Sequence, residues 1–180
     1  MEASWIQWAV LLPRAIDGDE YDDINEAAGQ ALDALGMKVG MTHMEWFRRA
    51  DGSIAISEVA ARPPGAQFTS LISYAHDRDF YREWPRLSVL ETFDPPERRF
   101  ACGAAYLRGQ GQGKVQQVRG LEEIERRFGE LVVEAKLPKA GQPGATSYEG
   151  EGYVILRHPE TAVVQDALTE VVRTVRVELG

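Results

Sequence analysis

Gly40-Met41-Thr42-His43-Met44-Glu45-Trp46-Phe47-Arg48-Arg49-Ala50-Asp51-Gly52-Ser53-Ile54-Ala55-Ile56-Ser57-Glu58-Val59-Ala60-Ala61-Arg62-Pro63-Pro64-Gly65 is the run from which the rest of the chain is read. Two strand-like segments, Met41 to Arg49 and Ile54 to Ala61, flank Asp51-Gly52. Asp-Gly between such segments is a strong hairpin signal, because a two-residue type I′ turn needs positive φ at both central positions. A turn at Asp51-Gly52 sets the register: Phe47 faces Ile56, Glu45 faces Glu58 and His43 faces Ala60. Side chains alternate across a strand, so His43, Glu45, Phe47, Ile56, Glu58, Ala60 and Arg62 are expected on one face.

That register sets two carboxylates opposite each other, where like charges destabilise the pair unless something positive lies between them. A divalent cation is the natural occupant. Hard oxygen ligands suit magnesium, which takes one or two carboxylates and completes its shell with water and substrate phosphates. A register displaced by one residue, or two carboxylates splayed into water, are the competing readings of the same residues. His43, beside Glu45, serves a metal, acid–base chemistry or only a hydrogen bond.

The segment Gly40 to Glu45, the thirteen-residue step to Glu58, and Glu58-Val59-Ala60-Ala61-Arg62-Pro63-Pro64-Gly65 together resemble the metal-binding end of an ATP-grasp ligase. A helical pattern ending in Ala34-Leu35-Gly36 precedes them, as in that superfamily. The nearest likeness is to the L-amino-acid ligases and the related carbamoyl phosphate synthase and biotin carboxylase group. The resemblance implies that Glu45 and Glu58 hold Mg²⁺ (or Mn²⁺) bridging the phosphates of ATP, the co-substrate. It further implies that Arg62 faces the reacting phosphate or carboxylate. Phe47 and Ile56 are apolar residues that could lie under the purine, with core packing as the alternative. Many members carry Asn two residues after the second Glu, where this chain has Ala60; several branches have a small residue there.

Bulk properties narrow the class. A chain of 180 residues holds one ordinary domain or two small ones. No apolar run approaches the ~20 residues needed to span a bilayer, and no basic-then-apolar leader opens the chain, so a cytoplasmic protein with no membrane partner is expected. The formal charge of −8 argues against nucleic-acid binding. It leaves ATP binding open, because close magnesium and arginine charges outweigh distant, screened ones. The single cysteine, Cys102, excludes an internal disulfide framework and reads as a buried small hydrophobe.

Trp5 to Leu12 reads as a buried strand closed by Pro13, and Asp17 to Asp23 as an acidic loop lacking EF-hand spacing. A helix from about Asp22 places Ile24, Ala27, Ala28, Ala31 and Leu35 on one stripe and stops at Gly36. It is expected to cover the sheet face opposite the carboxylates. Helical spacing returns in Phe68, Leu71, Ile72 and Ala75, then in a segment from Asp77 to about Arg82. Arg62, at the entrance to the loop before that helix, is placed to clamp an anion.

Asp94-Pro95-Pro96-Glu97 marks a boundary, giving residues 1–94 and 95–180 as two units. Beyond it come a strand at Phe100 to Leu107, a hairpin loop at Gly109 to Gly113, and a strand at Lys114 to Val118. A helix at Leu121 to Phe128 and strands at Leu131 to Leu137 and Tyr153 to Leu156 follow. A helix from Thr161 and a strand at Val175 to Leu179 complete the chain. The expected class is α+β: an antiparallel sheet with flanking helices, the C-terminal subdomain of an ATP-grasp fold, followed by a small α+β C-terminal domain.

The glycine-rich flap and lysines that cover the phosphates in ATP-grasp enzymes are not found in this sequence. The resemblance therefore implies the C-terminal half of a carboxylate–amine ligase. The partner is the missing N-terminal half, in cis or as a separate chain, and the substrates are a small-molecule carboxylate and an amine. The alternative is a non-catalytic ATP-grasp-derived binding or interaction module.

Overall fold

The computed structural model describes residues 7–147 and 149–180, so Trp5 and Ile6 of the expected first strand lie outside the described residues. In chain order the elements are β1 (Ala9–Leu12), α1 (Asp22–Ala34), β2 (His43–Arg48), β3 (Ile54–Ala60), α2 (Phe68–His76) and α3 (Phe80–Leu90). They continue with β4 (Ala101–Leu107), β5 (Gly109–Gln110), β6 (Val115–Arg119), α4 (Leu121–Phe128), β7 (Val132–Lys136), β8 (Gly152–His158), α5 (Thr161–Thr174) and β9 (Arg176–Leu179). The class is α+β, with antiparallel sheet flanked by helices.

The main sheet has the order β1-β4-β8-β7, every pair antiparallel. All of β4 is buried, which explains why Ala-Cys-Gly-Ala-Ala-Tyr-Leu shows no polar alternation. Its even-numbered side chains Cys102, Ala104 and Tyr106 pack with Tyr153 and Ile155 of β8 against Leu71 and Ala75 of α2. Its odd-numbered ones, Ala101, Ala105 and Leu107, pack with Val154 and Leu156 against Val164, Ala167, Leu168 and Val171 of α5. Small residues on β4 let both helices lie close to the sheet. Cys102 sits in this interior, where burial pushes its thiol up to about 12, so it serves as packing.

A carboxylate pins α2 laterally: Glu134 of β7 accepts from Tyr74 Oη at 2.9 Å and from Tyr153 Oη at 2.6 Å. Burial, then the hydrogen bond to Glu134, raises both phenols above their ordinary value, so both remain donors. Sheet pairing crosses the boundary expected near residue 95, because β1 is the edge partner of β4 and α2 covers the same sheet.

Two elements differ from their sequence readings. The Gly109–Gly113 segment is not a hairpin loop between β4 and β6. Instead Gly109–Gln110 forms β5, and β9 lies between β5 and β6 in a second sheet, parallel to β5 and antiparallel to β6. A local reading pairs neighbouring strands, whereas here the C-terminal strand enters the gap. Helix α3 also runs past Arg82 and through Pro85 to Leu90. Asp79 caps its start by accepting from Arg82 N, and Phe80 and Leu87 bury its inner side.

Helix α1 ends as its sequence suggests. Gly36 has φ +73°, Gly36 N donates to Asp33 O and Met37 N to Leu32 O, the Schellman pattern. The helix is tied to the hairpin by a two-pronged pair between Arg48 and Asp23, one contact being Nη2 to Oδ1 at 3.0 Å. Arg48 points to the same side of β2 as Met44 and Trp46, so α1 lies on the face opposite Glu45, as expected.

Two glycines make opposite predictions. A Cβ at Gly103 would meet Leu168 of α5 and, at 2.9 Å, the Val10 carbonyl, so Gly103→Ala is expected to lower stability by about 1–3 kcal/mol. Gly29, exposed within α1, has open space around it, and Gly29→Ala is expected to raise stability by about 0.5–1 kcal/mol. Denaturant melts of the two variants check both signs. The Arg48 pair gives a pH test. Its hydrogen bond holds the Asp23 carboxyl below the ordinary 3.8, so the stabilisation is complete above that value and fades as pH falls through the lower, folded-state one. The Tm gap between wild type and Arg48→Gln should therefore close on acidification from neutrality to about pH 2; a constant gap rules the pair out as its source.

Candidate functional site

The hairpin is closed by a three-residue loop, not the expected two-residue turn. Arg49 N donates to Ser53 O and Gly52 N to Arg49 O, both at 2.9 Å. Gly52 alone in the loop has positive φ, +86°. Asp51 instead turns its carboxylate onto Ser53, accepting from the backbone N at 3.0 Å and from Oγ at 2.7 Å. Those bonds hold Asp51 below its ordinary pKa and favour a type I turn followed by a left-handed glycine.

The longer loop displaces the register near the tip: Arg48 pairs with Ile54, Phe47 with Ala55 and Trp46 with Ile56. A bulge then leaves Ser57 unopposed, its Oγ donating to Glu45 O at 3.2 Å. Beyond the bulge Glu45 stands opposite Glu58, Met44 opposite Val59 and His43 opposite Ala60. The extra loop residue and the extra strand residue cancel, so the carboxylates still face one another. Ile56 does not share their face. It lies opposite Trp46, on the side that α1 approaches, and is separated from Phe47, which points to the carboxylate side and is 63% exposed.

Glu45 and Glu58 are about half exposed, at 54% and 48% of their side-chain surface. His43 Nε2 lies 3.8 Å from Glu45 Oε1, and its buried Nδ1 has no hydrogen-bond partner. Arg62 Nη2 is 3.4 Å from Glu58 Oε1, and its Nη1 donates to Pro63 O at 3.1 Å. One guanidinium thus approaches one of the two carboxylates, while a histidine at longer range lies by the other. No group of three or more His, Cys, Asp or Glu is arranged around a metal position among the described residues. Two facing, solvent-accessible carboxylates nevertheless match the partial protein shell that Mg²⁺ takes when substrate phosphates and water supply the rest.

The loop after Arg62 contains a feature that the sequence did not disclose. Ala66 and Gln67 both adopt left-handed backbone conformations, with φ +49° and +66°, a strain of about 1–3 kcal/mol for each non-glycine residue. Three side chains hold them. Tyr106 Oη donates to Ala66 O at 2.6 Å, Gln67 Nε2 donates to Glu149 Oε1 at 2.9 Å, and Ser70 Oγ donates to Gln67 Oε1 at 3.1 Å. Burial pushes the Tyr106 phenol up to about 12, so it stays a donor. No local signal links Gln67 to a glutamate 82 residues away.

No family model and no curated protein matches the chain. Solved structures do. The L-amino acid ligase from Bacillus licheniformis superposes with a TM-score of 0.77 at 18% identity, over 97% of this chain and 44% of that one. Phosphoribosylglycinamide synthetase from Anaerococcus prevotii gives 0.70 at 12% identity, over 97% and 46%. N5-carboxyaminoimidazole ribonucleotide synthetase from Thermotoga maritima gives 0.68 at 20% identity, over 96% and 46%. At such identities the likeness is one of fold, and the chain spans less than half the length of each of these proteins. The protein described here has the fold of part of an ATP-grasp ligase.

Proposed function

We propose that this chain is the C-terminal portion of an ATP-dependent carboxylate–amine ligase and supplies its metal-binding hairpin. The observation that supports the reading best is the facing of Glu45 and Glu58 across the hairpin, with Arg62 beside Glu58, in a chain with an ATP-grasp ligase fold. Glu45 and Glu58 would hold Mg²⁺ or Mn²⁺, whose charge offsets that of the ATP phosphates when bound. Arg62 presents donors to the transferring phosphoryl group or the substrate carboxylate. Phe47, exposed on the same face, supplies apolar surface for the purine; Ile56, on the other face, is left to packing against α1.

In the reaction so assigned, a carboxylate oxygen of the substrate attacks the γ-phosphorus of ATP and the bond to the β-phosphate oxygen breaks, releasing ADP. An amine then attacks the acyl carbon and phosphate leaves, giving the amide. The chain's own part is to orient and neutralise phosphate oxygens. Glu45, Glu58 and Arg62 are too exposed to exclude water alone. The rest of the nucleotide site would come from the N-terminal half, in the same polypeptide or another. No helix among the described residues is long and apolar enough to cross a membrane.

A second reading has an observation of its own. Ala60 stands where many ATP-grasp enzymes have a further metal-ligating Asn, which suits a module that keeps the fold without the chemistry. Mn²⁺ titration followed by electron paramagnetic resonance separates the two. The chain is expected to take up Mn²⁺ and to lose that uptake in the Glu45→Gln/Glu58→Gln double variant; uptake indifferent to both substitutions supports the module. In the assembled ligase, Glu58→Gln is expected to reduce kcat by about 10²–10³, measured as ADP release. Undiminished turnover removes Glu58 from the mechanism.

A further inference from the structure

Ala66 and Gln67 lie four and five residues after Arg62, and Pro63 and Pro64 occupy half of the interval between Arg62 and Gln67. Each proline fixes its own φ, and the residue before each proline is restricted as well. Thr69 Oγ1 also donates to Pro64 O at 3.0 Å. Gly65 is the only residue of the connection with broad backbone freedom. The conformation imposed at Ala66-Gln67 is therefore passed to Arg62 with little slack.

Ser70 is a local contributor, whereas Tyr106 and Glu149 lie 40 and 82 residues further along the chain than the residues they hold. Tyr106 is on β4, the most buried strand of the main sheet. Glu149 is on a loop that is itself moored. Its neighbour Glu151 is buried and accepts from Gly109 N at 2.7 Å and Ala145 N at 2.8 Å, while Glu151 N donates to Leu107 O at 2.9 Å. Gly150 has φ +63°, and a Cβ there would meet the Leu107 carbonyl at 2.8 Å, so the turn presenting Glu149 is pressed against the end of β4.

We propose that Glu149 and Tyr106 are positioning residues for Arg62: by holding Gln67 and Ala66 in the left-handed conformation, they fix the strap Arg62–Gln67 so that the guanidinium stays beside Glu58. The C-terminal sheet thereby sets the geometry of the hairpin site. The functional side of this assignment rests on the reading of Arg62 as an anion-binding residue.

The test uses the chain itself with inorganic phosphate as probe and the variants Glu149→Ala, Glu149→Gln, Tyr106→Phe and Arg62→Ala. Amide exchange at Gly65 to Phe68 is expected to accelerate about tenfold in Glu149→Ala and in Tyr106→Phe, while β4 and β8 keep wild-type protection. The NMR order parameter of Arg62 Nε is expected to fall in the same two variants. Glu149→Gln, whose side-chain oxygen still accepts from Gln67, is expected to restore both readouts. Unchanged exchange and an unchanged Arg62 order parameter in Glu149→Ala overturn the strap. Faster exchange with Arg62 as ordered as in wild type also overturns it, by reducing the contact to local structure. Separately, phosphate is expected to shift the Arg62 Nε resonance, and Arg62→Ala to remove the phosphate-dependent shifts of neighbouring amides. No phosphate response at Arg62 overturns the anion reading of Arg62 and leaves the strap to be judged by the other two measurements.

Discussion

The burial of β4 on both faces and both edges is the constraint to which every other position in the molecule is referred. A strand with hydrogen-bonded neighbours on each side and helices above and below cannot shift without opening the core. Its even-numbered face fixes α2, and α2 begins at the loop that carries Arg62. Its odd-numbered face fixes α5, whose close approach depends on Gly103. The candidate site is thus held from behind by a sheet that contributes no metal ligand to it.

Support on the hairpin side is thinner. Among α1, β2 and β3, Ile24 is the one buried residue, and β2 and β3 pair with each other alone among the described strands. A two-stranded ribbon is marginal in isolation, and Trp46 and Phe47 expose 40% and 63% of their surface. This asymmetry fits a chain spanning less than half of the proteins it resembles in fold. The main sheet is covered on both faces by its own helices, while the hairpin carries surface that its own layers do not cover.

The sequence made the hairpin and most elements of the C-terminal sheet legible because both rest on local signals: Asp-Gly between alternating runs, apolar period, and glycine or proline punctuation. It was a poorer guide where distance or a single extra residue decides. The Asp51 side chain chose Ser53 over a type I′ turn, and Ser57 then absorbed the resulting offset. Glu45 and Glu58 consequently met as expected, though by a different route. Ile56, lying between the two irregularities, was sent to the opposite face. Likewise, no periodicity announces that β9 will insert between β5 and β6, or that Glu149 will reach Gln67. Such contacts are products of the folded topology.

The bulge at Ser57 also separates two parts of the hairpin mechanically. On its far side lies an exposed tip whose strand offset differs from that at its base; on its near side sit the opposed acidic groups. An unpaired residue of this kind works as a slip joint, taking up a lengthened or shortened tip before the change reaches the base. A change of length at Ala50 to Ser53 would thereby meet the irregularity at Ser57 before it met the acidic pair.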